Sequence, residues 1–272
     1  MYRPTVRRAQ DRLAPPNSSS DDIVLRGSGG IAYSFYGPPS AVPSFTGLIR
    51  QIRTRGGQIR TFAYDSETYR LVKTSQTEDG ISVEVNYTWT DVATGVHRIA
   101  SATLGIDAGE EVPVTSATYS YYDGTTEQGN LGDLQRVTRK LGSASTGVTT
   151  SESYYTYYLA GQSNFSELKY TLERESFQRL LAVCPDPTDA NDGQLAAYAD
   201  CYFEYDSRGR VTLESTSGGQ YTHAFEYFAR GNSSSPNTWQ KKTIETLPDG
   251  NRNIVYCNGG GQTMLFVWDF RF

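Results

Sequence analysis

One unit recurs along this chain and limits what it can fold into. It is an aromatic residue, an aspartate, a tight turn, then an arginine opening a β-branched run. The cleanest copy runs Tyr205, Asp206, Ser207, Arg208, Gly209, Arg210, Val211, Thr212. It continues through a Ser217-Gly218-Gly219 turn to an aromatic strand ending at Tyr227. An earlier copy has Tyr64 and Asp65, then Arg70, Leu71 and Val72, the turn Asp79-Gly80, and a strand ending Tyr87-Thr88-Trp89. A third has Tyr122-Asp123-Gly124, followed by Arg136-Val137-Thr138. A degenerate tail has Leu247-Pro248-Asp249-Gly250, then Tyr256, then Asn258-Gly259.

Each residue type in the unit has a physical reason to be there. Tyr205 suits the pleated surface of a strand end. The Asp206 carboxylate can fold back onto nearby backbone N–H groups and open a turn. Gly209 falls where a type I turn with a following bulge needs φ > 0. Each unit is therefore expected to be a β-hairpin. A lone hairpin cannot bury its apolar face, so stacked neighbours must bury it. The spacing of the repeat tyrosines is irregular, which argues for hairpins of varied length and against a strict solenoid.

Period-2 alternation supports the same fold class. It is clearest at Ile81, Val83, Val85, Tyr87 and Trp89, with Ser82, Glu84, Asn86 and Thr88 opposite. It recurs at Tyr221, His223, Phe225 and Tyr227, and at Met264, Phe266, Trp268 and Phe270. Such alternation predicts one buried and one solvated face. Leu48–Arg55 and Gln58–Tyr64 flank Gly56-Gly57, which reads as a two-residue hairpin turn. About a dozen strands are expected. No stretch makes a persuasive amphipathic helix, and Asp192–Asp200 is the best short candidate.

Composition fits a β chain more than a disordered one. Of 272 residues, 20 are Tyr and 11 Phe, and disordered chains are poor in aromatics. A net charge of -5 argues against nucleic acid as a partner. No apolar run reaches the length of a membrane-spanning helix. Residues 1–22 read as a flexible leader, with arginines but no hydrophobic region after them. Residues 23–47 read as short strands and a loop marked by Pro38, Pro39 and Pro43, and residues 48–272 as the repeat region. Cys184 and Cys201 flank a polar loop and could be bridged, leaving Cys257 over; the plainer alternative is three free thiols.

Candidate chemistry is sparse. The loop holding Asp186, Asp189, Asn191, Asp192, Gly193 and Asp200 resembles a calcium loop, but its glycine comes one residue early. His97 and His223 are the two histidines, and neither accompanies a zinc spacing or a nucleophile motif. His223 falls in phase with the aromatic face of its strand. Gly27–Gly30 lacks the lysine of a phosphate loop, Gly142–Gly147 lacks the nucleophile-elbow spacing, and Glu110-Glu111 reads as a solvated acidic turn. No catalytic residue, cofactor or metal site is expected.

The units resemble those of the YD-repeat (Rhs-repeat) family over roughly residues 48–272. The resemblance implies an all-β fold of antiparallel hairpins forming a curved, shell-like sheet. In bacterial toxins of that family the shell encloses a C-terminal effector. The toxin members also carry a core segment with aspartates for self-cleavage. No stretch here matches it, so cargo release is not expected of this chain. The repeat residues of the family are structural, here Tyr64, Asp65, Tyr122, Asp123, Gly124, Tyr205, Asp206, Gly209, Arg210, Tyr227 and Tyr256. The implied function is a non-enzymatic wall or scaffold segment, secreted or at the cell surface, with further β-repeats as partners. The alternative is a module binding cell-surface carbohydrate, with Trp89, Trp239 and Trp268 as candidates for stacking on sugar rings.

Overall fold

The computed structural model describes residues 6–8, 23–27, 29–37, 45–107, 111–230 and 238–271. The proline loop and Glu110 lie outside them, as does most of the leader, although Val6–Arg8 within it form a short strand, β1. The chain is all-β and antiparallel. After β1 come β2 (Ile23–Arg26), β3 (Ala32–Phe35), β4 (Ile49–Arg53), β5 (Ile59–Tyr64), β6 (Leu71–Glu78), β7 (Ile81–Ala93), β8 (Val96–Asp107) and β9 (Glu111–Tyr121). Then follow β10 (Leu134–Leu141), β11 (Val148–Tyr157), β12 (Leu168–Glu173), helix α1 (Arg174–Val183), helix α2 (Asp192–Tyr198) and β13 (Cys201–Tyr205). The last strands are β14 (Val211–Thr216), β15 (Tyr221–Ala229), β16 (Lys241–Thr246), β17 (Arg252–Cys257) and β18 (Thr263–Asp269). The count exceeds the dozen expected because many strands hold only four to six residues, too few to display alternation.

Two compact units divide the chain. The first comprises residues 1–91, 97–118 and 139–150. In it β2 to β7 pair in chain order, and β8 pairs with β9. The second comprises residues 92–96, 119–138 and 151–272. In it the order from the end of β11 to β18 is again an unbroken meander.

One turn geometry closes many of these hairpins. The first residue of the turn donates its N–H to the carbonyl four residues on, and accepts from the N–H three residues on. This holds for Thr54/Gln58, Asp206/Arg210, Leu247/Asn251 and Asn258/Gln262. The fourth turn residue is each time a glycine at positive φ: Gly57 (87°), Gly209 (71°), Gly250 (85°) and Gly261 (81°). It is the type I turn with a glycine bulge. The Gly56-Gly57 connection is therefore a three-residue loop, not the two-residue turn expected, because the second glycine is consumed by the bulge.

The helices make the one substantial core among the described residues. Tyr122, Tyr154, Tyr170, Leu172, Phe177, Leu180 and Leu195 bury together, and Tyr154 stacks on Phe177 at 4.9 Å. Gln128 is buried under this layer. It donates to the carbonyls of Pro187, Thr188 and Ala190 and accepts from the Tyr154 hydroxyl. α2, the short helix the sequence suggested, opens with a capping box of Asn191 and Gln194. α1 was not expected. Its apolar stripe of Phe177, Leu180 and Leu181 has helical spacing, but lies among Arg174, Glu175, Gln178 and Arg179.

Elsewhere the expected burial of one strand face does not occur. Ile81 and Val83 are 47% and 45% exposed, while Glu84 on the opposite face of β7 is only 7% exposed and pairs with Lys73. On β15, Tyr221 is exposed and His223, Phe225 and Tyr227 are half-buried. Alternation sets which side chains share a face, but nothing in the pattern supplies a layer to cover that face.

Candidate functional site: an aspartate–arginine–aromatic clasp

The repeat motif builds a local device. In the clean unit, Asp206 opens the turn and Arg210 closes it. The Asp206 carboxylate accepts from the N–H groups of Arg208 (2.8 Å) and Arg210 (3.1 Å). It also accepts from Nε (2.7 Å) and a terminal nitrogen (2.5 Å) of the Arg210 side chain. The guanidinium is thus fixed in a plane, and it lies over the Tyr227 ring at 4.3 Å from the centroid. Tyr227 in turn donates its hydroxyl to the Val211 carbonyl at 2.7 Å. Carboxylate, guanidinium and ring clamp three consecutive strands, β13, β14 and β15, at one end. Hydrogen bonds from Arg210 are the main reason the Asp206 carboxyl is held down to about 2.

The earlier unit repeats the device with substitutions. Asp65 accepts from the backbone and hydroxyl of Thr68, both at 2.7 Å, which lowers its pKa. Arg70 lies over the Trp89 ring at 5.8 Å and pairs with Asp91 at 3.4 Å. Trp89 donates its indole N–H to the Leu71 carbonyl at 2.8 Å, the same bond that Tyr227 makes to Val211. The turn is one residue longer, and the positive φ falls on Tyr69 at 58°. Tyr64 donates its hydroxyl to the Ile49 carbonyl at 2.8 Å.

The third unit does not form the same hairpin. Tyr122 closes a long loop by bonding Asp133, and its buried hydroxyl donates to the Tyr155 carbonyl. Asp123 caps Thr125, and Gly124 has φ 83°. Arg136 leaves the turn altogether, pairing with Glu152 and lying over the Phe177 ring at 5.9 Å. The extra residues between Gly124 and Arg136 are what uncouple arginine from aspartate. Gly129 there sits against the Tyr122 ring, where a Cβ would come within 2.1 Å.

The three tryptophans fall into two classes. Trp89 and Trp239 each lie under an arginine, Arg70 and Arg230, and Trp239 also packs on Tyr256 at 5.5 Å. Trp268 is 66% exposed. It stands in a row with Phe266 and Phe270, its ring nearly perpendicular to both (81° and 83°). This row lines part of an open groove of about 450 Å³, whose lining also includes Leu247, Asp249 and Asn251 of the turn.

The remaining candidates have structural partners. Asp186 caps Thr188, Asp192 pairs with Lys169 at 2.6 Å, and Asp200 ties Ser176 of α1 at 2.7 Å. Cys184, Cys201 and Cys257 are free thiols. Each histidine meets a carboxylate that the sequence reading did not pair with it. His97 bonds Asp91, and His223 bonds Glu245 at 2.9 Å. Glu245 also accepts from Asn253, and that bond foremost holds its pKa below the usual carboxylate range. Only strand register brings these partners together, so no local motif announces them.

No protein-family model matches the chain, and no curated protein matches it. Among solved structures, the crystal structure of TcdB2-TccC3-Cdc42 is 14% identical over 89% of this chain and 13% of that one, with a TM-score of 0.32. The Photorhabdus luminescens Tc holotoxin pore gives 14% identity over 91% and 13%, with a TM-score of 0.34. A porin-like protein from Bacteroides uniformis gives 11% identity over 87% and 89%, with a TM-score of 0.35. The chain thus spans 13% of the length of each of these two toxin chains. At these scores none of the three bears on its function.

Proposed function

We propose that this chain is a non-enzymatic β-repeat segment of the YD-repeat (Rhs-repeat) kind, serving as part of a shell or scaffold that is secreted or displayed at a cell surface. The observation that carries the reading is the use made of the repeat motif. Asp206, Arg210 and Tyr227 spend their polar groups and ring face on one another and on the backbone. Such residues hold a wall together and leave little to act on a substrate. The large apolar side chains exposed on β18, including Met264, Leu265, Phe266 and Trp268, fit a segment that packs against further polypeptide.

Light scattering tests this directly. The isolated chain should self-associate with rising concentration, and the Trp268→Ser, Phe266→Ser variant should do so less. A chain that stays monomeric at every concentration tested would count against a scaffold segment. Turnover in a glycosidase or peptidase screen, lost on changing a pair of carboxylates, would overturn the non-enzymatic part.

A further inference from the structure

The groove beside Trp268 occupies the place of a clasp that has lost its own aspartate and arginine. The turn hydrogen bonds give the correspondence. Asp206 N–H donates to the Arg210 carbonyl, and Gly209 N–H to the Asp206 carbonyl. In the tail, Leu247 N–H donates to the Asn251 carbonyl at 2.8 Å, and Gly250 N–H to the Leu247 carbonyl at 2.9 Å. Leu247 therefore stands where the clean unit has its aspartate, and Asn251 where it has its arginine. Register supplies the third member. Continuing the Leu213↔Ala224 ladder places Arg210 across from Tyr227. Continuing the Arg252↔Asp269 ladder places Asn251 across from Phe270. The aromatic ring is retained and the two charged groups are not.

The vacancy has physical consequences. Tyr227 is half-buried beneath Arg210, whereas Phe270 is 60% exposed. Among the described residues no cation lies over Phe266, Trp268 or Phe270, although cations cover Trp89, Trp239 and Tyr227. Perpendicular neighbouring rings form corners lined by two ring faces, and ring faces attract cations. Of the charged residues lining the groove, Asp269 stands across from Arg252 and also pairs with Arg271 at 3.5 Å, which leaves Asp249, whose carboxylate accepts from the Asn251 backbone (2.9 Å) and side chain (2.7 Å), as the carboxylate with no cation paired to it among the described residues. Arg252 and Asp269 are in register, so by strand alternation their side chains share the face away from Trp268 and Phe270.

We propose that this groove receives the guanidinium of an arginine from a second polypeptide, which rebuilds the missing clasp between chains. Arginine fits better than lysine because its planar group can stack on a ring and bond a carboxylate in the same plane. The proposal rests on the reading of the chain as a repeat segment that packs against further polypeptide, and names the chemistry of that contact.

The test is a titration of the ¹⁵N-labelled chain with acetyl-Gly-Arg-Gly-Arg-Gly-amide, followed at the indole N–H signal that disappears in Trp268→Phe. A matching peptide with citrulline in place of arginine keeps the shape and removes the charge. The arginine peptide should shift the signal, and the citrulline peptide should bind at least about tenfold more weakly. The double variant Leu247→Asp, Asn251→Arg should fill the groove from within, raise Tm and abolish peptide binding. Equal binding of the two peptides would overturn the proposal, as would stronger binding of a neutral oligosaccharide such as cellotetraose. So would a correctly folded double variant that binds the arginine peptide unchanged. Self-association by light scattering without arginine binding would leave the scaffold reading standing and remove this one. Arginine binding by a strictly monomeric chain would do the reverse.

Discussion

The region from β11 to α2 and the sheet from β13 to β18 hold their shape by different means. The first buries a core: Leu172, Phe177 and Leu180 are fully enclosed, with Tyr154 stacked on Phe177. The second has almost no enclosed apolar side chain beyond Ile244. Its strands are fixed by glycine turns and by clasps at their ends. Where a layer covers the sheet, burial dominates. Where none does, the work passes to turn geometry and to polar groups that bridge neighbouring strands.

This contrast sets the size of mutational effects. Phe177→Ala should give the largest loss, about 3–5 kcal/mol, because its ring is enclosed and stacked. The loss should appear in denaturant unfolding followed by near-UV circular dichroism. A loss as large from Phe270→Ala would erase the distinction between the two regions, because Phe270 is mostly exposed.

Gly209→Val comes next. Gly209 holds φ 71°, a region that a β-branched residue tolerates poorly, so the substitution should cost at least about 1 kcal/mol. A Cβ there would also meet the Glu167 carboxylate at 2.9 Å, whereas nothing lies within 4 Å of a Cβ at Gly250. Gly250→Val should therefore show the backbone strain alone, and measuring both variants separates strain from contact. Equal losses would mean that the Glu167 side chain simply moves aside.

Tyr227→Phe removes the hydroxyl that bonds Val211 and should cost about 0.5–1.5 kcal/mol. The ring and the arginine above it remain. Trp268→Phe in the open groove should change stability very little. If the two variants behave alike in thermal melts, the bond from the Tyr227 hydroxyl contributes nothing measurable to the clasp.

How much of this could be read from the residues depends on distance along the chain. Gly209 was legible because a tight turn needs positive φ at a set place, and the requirement is local. The short helix α2 was legible for the same reason, its signal lying within Asp192–Asp200. The Arg70–Trp89 and Arg210–Tyr227 pairs were not, because they depend on the register of strands joined by a second turn. The same limit hid which tryptophan is open: all three sit among aromatics, and only the arginines brought over Trp89 and Trp239 set them apart. α1 was missed because a stripe of three apolar residues was outweighed by the charges around it.

The clasp should also be visible to protons, with the smallest effect of the four. Bonds from Arg210 hold Asp206 at about 2, below its ordinary value of 3.8. A carboxylate depressed in the folded state contributes stability that is fully present above its unfolded pKa. That contribution fades as pH falls from 3.8 through about 2. The carboxylate is solvent-facing, so the change in global stability is small and the sharper readout is the titration itself. Carboxyl carbon shifts followed by NMR from pH 5 downward should show Asp206 titrating near 2 in the native chain. In Arg210→Ala its midpoint should rise toward the ordinary value, while the backbone bond from Arg208 keeps part of the depression. An unchanged midpoint would place the cause in the turn backbone alone. The tail could then lose its arginine without losing a clasp, and the contrast between the two hairpins would collapse at its charged end.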